Sequence, residues 1–321
     1  MDIYTRILGE FSTIPMINAW PEMQDLFQRV ASGRPRHWLL PLRACETVGG
    51  CAEQSVPALV AVACSHIGIV LVDDMLDADP RGEHLRVGAP AVANMASALQ
   101  SAALAVIARS EMDSDAKLIA LESLNEMFLA TAMGQYWDVK SIVMDESSYW
   151  RNARAKSSPF FGTTLQMGAL MGGASVNVAA QIKELGSLYG EMIQVHDDLN
   201  DTMAVPANPD WTEGRSPLPI LFARIVDHPA RARFEEIYPY AGSSPKILEE
   251  AQEILIQCGA VSYCVYQLLS RYETAMGILS SLPIERNQIL EKIFGDVVQP
   301  VFKLFQEMGE TFTSVPLVDA A

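Results

Sequence analysis

The stretch HIGIVLVDDMLDADP, residues His66–Pro80, joins an apolar run to four aspartates and ends at a proline. The apolar run begins at Pro57 and reaches Val72. A helix with apolar side chains on most of its faces belongs in a protein core, so we predict a buried helix over Val56–Asp77. The acidic end of this helix needs an explanation, because it places like charges beside one another.

A second stretch has the same form. EMIQVHDDLND, residues Glu191–Asp201, also carries apolar side chains at helical spacing and ends in Asp-Asp-x-x-Asp, and a proline follows a few residues later. We predict that it closes a helix over Val178–Thr202. Two helices with the same acidic end suggest two halves of one site.

The aspartates of each stretch lie close together at a predicted helix end. Positions i and i+4 share a helix face, so Asp73 and Asp77 stack with Asp74 at their flank. Because such charges repel and acids at a helix C-terminus oppose its dipole, a cation is expected beside them. Carboxylates without histidine or cysteine suit Mg2+. The predicted metal ligands are Asp73, Asp74, Asp77, Asp197, Asp198 and Asp201.

Each cluster also has an explanation without a metal, because a single acidic helix end is often simply exposed to solvent. Two copies after two apolar helices favour the metal site. Mg2+ commonly completes its coordination shell with substrate phosphates, so we predict several ions that hold a diphosphate between the two clusters. His196, inside the second stretch, either orients a water or a proton transfer or is a surface residue.

The rest of the chain also reads as helix, and no run alternates as strands do. We predict an all-α fold. No flexible linker divides the sequence, so residues 1–321 are expected to form one domain. The most irregular segment is Ala204–Pro219, whose prolines and glycine predict a loop.

Composition excludes some functions. A formal net charge of −16 argues against a nucleic-acid partner, which requires a basic surface. The apolar tract Pro57–Val72 falls short of the roughly 20 residues that a membrane helix needs, and the N-terminus lacks the features of a secretory signal. We therefore expect a soluble, cytoplasmic protein without a transmembrane segment.

The sequence resembles the all-trans isoprenyl diphosphate synthase (polyprenyl synthetase) family, whose two aspartate-rich motifs look like DDMLD and DDLND. Further stretches resemble the family's Gly-Lys-Arg region, Arg-Arg-Gly-x-Pro, Gly-Gln-x-x-Asp, Lys-Thr and Gly-Lys-x-x-x-Pro motifs in the same order. These stretches are GRPRHWLLPLRACETVGG at Gly33–Gly50, EHLRVGAP at Glu83–Pro90, GQYWDVK at Gly134–Lys140, RAKSS at Arg154–Ser158 and DWTEGRSPLPILFA at Asp210–Ala223. The match runs from about Gly33 to Pro283.

The resemblance implies a fold and an activity. The fold would be a single large helical bundle with a central prenyl cavity, assembled as a homodimer. The enzyme would use Mg2+, three ions per active site, to ionise an allylic diphosphate. The carbocation would then be attacked by isopentenyl diphosphate.

The resemblance also assigns roles to individual residues. The six motif aspartates would bind metal, and five of them, Asp73, Asp74, Asp77, Asp197 and Asp198, would act in catalysis with Lys156 and Arg215. The allylic diphosphate would contact Arg86, Lys156 and Arg215, and Gln135 and Gln194 would lie near the cation. Isopentenyl diphosphate would contact Arg34, His37 and His66. Gly68, five residues before the first motif, would leave room under the growing tail, which predicts a product of C20 or longer.

The isopentenyl site departs from the family pattern. Pro35 interrupts the usual Lys-Arg pair, His37 stands where an arginine is expected, and Val87 replaces the second arginine of Arg-Arg-Gly. His37 is either a weak diphosphate ligand or a histidine at the start of a helix. Two alternatives therefore stay open beside the elongating enzyme. One is a terpene synthase or a transferase with a non-standard acceptor, and the other is a non-catalytic partner subunit.

Overall fold

A computed structural model of the chain describes residues 2–140 and 145–307, without side chains at 140 and 304–307. Across this described part the backbone forms seventeen α-helices and one 3-10 helix, and it forms no strand. The α-helices are, in chain order, α1 Ile3–Ser12, α2 Pro15–Asn18, α3 Pro21–Ser32, α4 Leu40–Thr47, α5 Ala52–Leu76, α6 Glu83–Val87, α7 Ala89–Arg109, α8 Ser114–Lys140, α9 Glu146–Lys156, α10 Ser158–Met171, α11 Val176–Met203, α12 Pro209–Glu213, α13 Leu218–Ile225, α14 Arg231–Ala241, α15 Pro245–Gln257, α16 Ala260–Ser281 and α17 Gln288–Glu307. The 3-10 helix is Arg36–Leu39. The predicted all-α fold is confirmed.

The centre of the bundle is α10, where every residue except Pro159 is buried. This helix packs against α4, α5, α8 and α11. Glycines allow the close approach of the helices, because a Cβ on Gly168 would lie 2.2 Å from the Pro41 carbonyl oxygen. A Cβ on Gly186 of α11 would likewise lie 2.3 Å from the Phe161 carbonyl oxygen. These glycines therefore let the backbones of α4 and α11 pack directly against the backbone of α10.

The two helices that carry the aspartate clusters form as predicted, with ends a few residues from the expected positions. α5 replaces the predicted Val56–Asp77, and α11 replaces the predicted Val178–Thr202. α5 is apolar on all sides because it packs against α1, α4, α7 and α10. Both helices bring their C-terminal ends to the same side of the bundle, where the cavity described below is found.

Two helices bear on the prediction that the chain has no transmembrane segment. α5 has 25 residues and α7 has 21, and both pass a length and composition test for a membrane span. The prediction that no stretch is long enough was therefore wrong, because α5 continues on both sides of the apolar tract. Within the fold, 67% of the most apolar window of α5 and 44% of that of α7 is buried. A core helix of a folded bundle passes the same test.

A second, smaller hydrophobic cluster lies beside the main core. It is built around Trp211, Phe234, Tyr238 and Leu255, from α12, α14 and α15. The helix α13 joins the two, since Leu218 and Leu221 belong to the main core while Ile220 belongs to the smaller cluster. The single domain over residues 1–321 stays a prediction.

The predicted loop Ala204–Pro219 contains one short helix, α12. Asn208 caps this helix by accepting a hydrogen bond from the Asp210 amide at 3.0 Å. Gly214 ends it in the left-handed region, with φ of 71°. Trp211 anchors the segment, because its side chain is buried and donates to the Thr202 carbonyl at 3.2 Å. The segment therefore has a defined conformation that presents the next residue, Arg215.

Candidate active site

A cavity of about 660 Å³ opens where the C-terminal ends of α5 and α11 meet. Its remaining walls come from α8, α9 and the segment between α11 and α13. Its charged side chains are mostly acidic: Asp73, Asp77, Asp138, Asp197, Asp198, Asp201, Asp210, Glu213, Lys156, Arg215 and Arg224. The structure therefore brings the two predicted aspartate clusters into one site.

The first cluster divides between two environments. Asp73 and Asp77 line the cavity, and Asp74 does not. Asp74 faces the turn before α6, where a Cβ on Gly82 would lie 3.1 Å from the Asp74 Cβ. Burial and the neighbouring carboxylates of Asp79 and Asp73 raise the pKa of Asp74. The prediction treated all three aspartates alike, and only two face the cavity.

Lys156 is the cation beside Asp73. Its Nζ lies 3.2 Å from Asp73 Oδ1 and 2.8 Å from Asp138 Oδ2. Burial alone would lower the pKa of Lys156, but the carboxylates of Asp138 and Asp73 outweigh it and raise the pKa. The amine therefore carries its charge at neutral pH.

Arg215 is the cation beside Asp77. Its two terminal nitrogens donate to the Asp77 carboxylate at 2.7 and 3.4 Å, and one lies 2.7 Å from Glu213. Burial tends to lower the pKa of Arg215, and the hydrogen bond to Asp77 with the nearby acids raises it. Tyr238 fixes the backbone of this residue by donating to its carbonyl at 2.7 Å. Two protein cations thus face the end of α5.

The aspartates of the second cluster also lie in two different environments. Asp197 and Asp201 line the cavity with accessible carboxylates, whereas Asp198 is buried. Asp198 Oδ2 accepts from the Tyr149 hydroxyl at 2.7 Å and from the Leu218 amide at 2.8 Å. Asp198 Oδ1 accepts from Gln194 Nε2 at 2.8 Å. Burial raises the pKa of Asp198 to about 6. This carboxylate was predicted to bind metal, but protein donors already occupy both of its oxygens.

The donor set can be compared with what Mg2+ requires. Among the motif aspartates that line the cavity, Asp73, Asp197 and Asp201 have at least one carboxylate oxygen without a hydrogen-bond donor in the described residues, whereas both oxygens of Asp77 accept from Arg215. In the described parts of the chain, no three His, Cys, Asp or Glu side chains are close enough to hold a metal ion by themselves. Mg2+ usually takes one or two carboxylates and fills its shell with waters and phosphates. The oxygen-only set therefore fits Mg2+ that is shared with a bound diphosphate.

The two predicted glutamines support the aspartates. Gln135 is buried on α8 and donates to Asp73 Oδ1 at 3.3 Å. Gln194 lines the cavity, donates to Asp198 and accepts from the Ser157 hydroxyl at 2.7 Å. Both side chains lie where they restrict the carboxylates of the two motifs.

Two predicted arginines do not reach the cavity. Arg34 is exposed, lies 2.7 Å from Asp2 and stacks over the Tyr4 ring at 4.6 Å. Arg86 is half-exposed and pairs with Glu83. In each case a nearby carboxylate, separated from the cavity, holds the guanidinium. Neither guanidinium lines the cavity, and their predicted contacts with a diphosphate stay predictions.

The two predicted histidines lie in an aromatic group. Trp38 Nε1 is a donor only, and it donates to His66 Nδ1 at 3.3 Å, so the His66 ring is neutral. Burial, with a smaller effect of His37, lowers the pKa of His66 to about 4. His37, in the 3-10 helix, packs edge-on against Phe161 at 5.2 Å, and burial lowers its pKa against the opposing effect of Asp197. Neither histidine carries the positive charge that a diphosphate would favour.

We expect His66 to make the fold less stable in acid. Its pKa falls from 6.5 in the unfolded chain to about 4 in the fold, so the unfolded chain binds the additional proton between these values. The free energy of unfolding should therefore fall as pH drops from 7 to 5, by about 2 kcal/mol from this residue. The variant His66→Gln keeps an acceptor for the Trp38 indole. In denaturant unfolding at pH 7 and pH 5, its free energy of unfolding should fall by about 2 kcal/mol less than that of wild type. Equal losses in both proteins would contradict the assignment.

A side chain at position 68 would not point into open space. A Cβ at this position would lie 3.5 Å from the Ala96 carbonyl oxygen and 3.7 Å from the Leu99 Cβ, which are ordinary contacts with α7. The Cβ direction of Gly68 therefore meets α7 at ordinary van der Waals distance, and the expected room for a long prenyl tail stays a prediction. His196 stays at the surface, where its hydrogen bond to Asp197 raises its pKa.

Several cavity residues were not predicted. Asp138 belongs to the GQYWDVK stretch that was compared with the family motif, so the signal was present. Tyr149 and Asn152 precede Lys156 by seven and four residues, a helical spacing that places them on the same face of α9. Asp210 lines the cavity, and burial raises its pKa. No sequence pattern separated this aspartate from the other loop residues.

Comparison with known proteins is consistent with this geometry. A family model described as "Polyprenyl synthetase" matches residues 25–255. The short chain isoprenyl diphosphate synthase of Methanothermobacter thermautotrophicus is 26% identical over 248 residues, which cover 73% of this chain and 75% of that protein. The geranylgeranyl diphosphate synthase of Methanosarcina mazei is 26% identical over 242 residues, with the same coverage of 73% and 75%. A solved structure, the decaprenyl diphosphate synthase of Rhodobacter capsulatus, shares the fold with a TM-score of 0.79 and 19% identity, over 93% of this chain and 95% of that chain.

Proposed function

Because the chain belongs to the polyprenyl synthetase family of prenyltransferases, we propose that it ionises an allylic diphosphate with Mg2+ and joins the carbocation to isopentenyl diphosphate. One observation carries this proposal. Aspartates of both motifs share a cavity with Lys156 and Arg215, two cations whose raised pKa keeps them charged at neutral pH.

The residues of the cavity supply what ionisation needs. Mg2+, when bound between Asp73, Asp77 and the second motif, would neutralise charge on the departing pyrophosphate. Lys156 and Arg215 add fixed positive charge at the same place, and a preorganised charge is effective because it needs no rearrangement during the reaction. Leaving-group stabilisation is therefore the main role of this end of the cavity. The closely packed helices α5 and α10 would keep water from the carbocation.

A second candidate function is favoured by the surroundings of the residues that were predicted to bind isopentenyl diphosphate. Arg34 is held by a carboxylate, and His37 and His66 are uncharged among aromatic rings. A diphosphate acceptor gains little from such surroundings, since bidentate charge-assisted contacts are missing. The second candidate is therefore an enzyme with the same ionisation step and an uncharged acceptor, including the substrate's own double bond, as in a terpene synthase.

Product length is proposed from the relatives alone. One of them is named a geranylgeranyl diphosphate synthase, which supports a product of about C20 or longer. A Cβ at Gly68 would already be in van der Waals contact with α7, so the glycine adds no independent support for this length.

We also propose that the protein forms a homodimer, as its resemblance to the polyprenyl synthetase family implies. α8 exposes a short stripe of apolar side chains at helical spacing: Leu129, Met133 and Tyr136, which are 67%, 45% and 62% exposed. A contiguous exposed apolar face is typical of a protein contact. Light scattering should give twice the mass of 35.2 kDa, and a monomer at micromolar concentration would contradict the proposal. The cytoplasmic location stays a prediction.

The function is tested by incubating the purified protein and Mg2+ with geranyl, farnesyl or geranylgeranyl diphosphate, each with and without isopentenyl diphosphate. Mass spectrometry should detect longer prenyl diphosphates only in mixtures that contain isopentenyl diphosphate. Hydrocarbons or alcohols formed without it would establish the second candidate instead. Failure to consume any of the allylic diphosphates would contradict both.

A further inference from the structure

Asn152 is a buried polar side chain without a partner. It is 6% exposed, and it lines the acidic cavity. Within residues 2–140 and 145–307, neither its Oδ1 nor its Nδ2 has a hydrogen-bond partner. Buried amides are nearly always satisfied, because an unmade hydrogen bond costs stability. A buried carboxamide in the wall of a cavity, with both ends unpaired, therefore points to a ligand.

The position of Asn152 in α9 places it between the two aspartate motifs. Lys156 lies four residues later and contacts Asp73 of the first motif. Tyr149 lies three residues earlier and donates to Asp198 of the second motif. Residues three and four apart share a helix face, so Asn152 lies on the same strip as both. Asn152 therefore lies on α9 between the residues that contact the two motifs.

The chemistry of a carboxamide narrows the ligand. Nδ2 donates and Oδ1 accepts, so both ends are satisfied only by a ligand that offers an acceptor and a donor. Diphosphate oxygens are acceptors only, and waters held by Mg2+ are donors. We propose that Asn152 binds the hydrated Mg2+–diphosphate group, with Nδ2 donating to a diphosphate oxygen and Oδ1 accepting from a water of the ion. This role rests on the proposed function, and it adds a substrate-binding residue that lies outside the aspartate motifs.

The test uses Asn152→Leu, which is close in size and removes both polar ends. Inorganic diphosphate with Mg2+ serves as the probe, and its binding is measured by calorimetry. We expect roughly 10- to 100-fold weaker binding, since hydrogen bonds to charged groups are lost. The ligand-free variant should melt at the wild-type temperature or a few degrees higher, because an unsatisfied buried group has been removed.

The matched control is Thr164→Val. Thr164 on α10 is fully buried, its Oγ1 is also unpaired among the described residues, and it does not line the cavity. This variant should keep wild-type diphosphate affinity. Asn152→Ala provides a second measurement if the leucine variant does not fold, with the same expected loss of affinity.

The outcomes separate this inference from the proposed function. Wild-type protein that shows no Mg2+-dependent diphosphate binding would overturn the proposed function and this inference with it. Wild-type binding together with unchanged affinity in Asn152→Leu and Asn152→Ala would overturn this inference alone. A large drop in the melting temperature of both Asn152 variants without ligand would also overturn it, because it would reveal a structural partner.

Discussion

Replacing Asp73 by asparagine is expected to lower kcat/KM for the allylic diphosphate by roughly 1,000-fold. Asp73 lines the cavity, accepts from Gln135 and lies 3.2 Å from the Lys156 amine. The substitution removes a proposed Mg2+ ligand and the charge that positions Lys156, so the departing pyrophosphate is expected to lose stabilisation from both. The measurement is steady-state turnover at saturating Mg2+, with consumption of the allylic diphosphate as the readout.

The matched control is Asp79→Asn. Asp79 belongs to the same acidic stretch, but it lies beyond the end of α5 and bonds to the backbone and guanidinium of Arg81. Its replacement should change kcat/KM by less than about twofold, because a surface ion pair outside the cavity contributes little. Equal losses in the two variants would show that the acidic stretch acts through its total charge and not through the cavity-facing carboxylate.

Replacing Asp198 by alanine is expected to lower the free energy of unfolding by about 3 kcal/mol. The change leaves the Tyr149 hydroxyl, the Leu218 amide and Gln194 without their common acceptor, and each unsatisfied buried group costs about 1–3 kcal/mol. Part of this loss is offset, because the substitution also removes a buried charge, whose desolvation raises the pKa of Asp198 to about 6. Denaturant unfolding at pH 7 measures the net effect.

Asp197→Ala is the control for this prediction. Asp197 is the neighbouring residue of the same motif, its side chain is 60% exposed, and its contact with His196 is at the surface. Its replacement should change stability by less than about 1 kcal/mol while it impairs turnover. If Asp197→Ala destabilised the protein as much as Asp198→Ala, the different roles assigned to the two aspartates would be wrong.

Much of the fold follows from local patterns. The period of the apolar side chains predicted α5 and α11, and their shared Asp-Asp-x-x-Asp ends predicted one site built from two helices. The same spacing rule would have found Asn152 and Tyr149, because both lie on the face of α9 that carries Lys156. α5 begins four residues before the predicted helix, because Gln54 and Ser55 form local hydrogen bonds in an additional first turn, and apolar periodicity does not show such bonds.

The sequence by itself determined the helical architecture and the identity of the acidic motifs, because a helical repeat decides which side chains share a face. It did not determine which groups each helix face contacts in the fold. Tertiary packing turned Asp74 toward the turn before α6, and it gave Asp198 three protein donors. It also paired Arg34 with Asp2 and left Asn152 unpaired in the cavity wall. These outcomes depend on groups that are distant in the chain, and a local pattern carries no information about which of them will be neighbours.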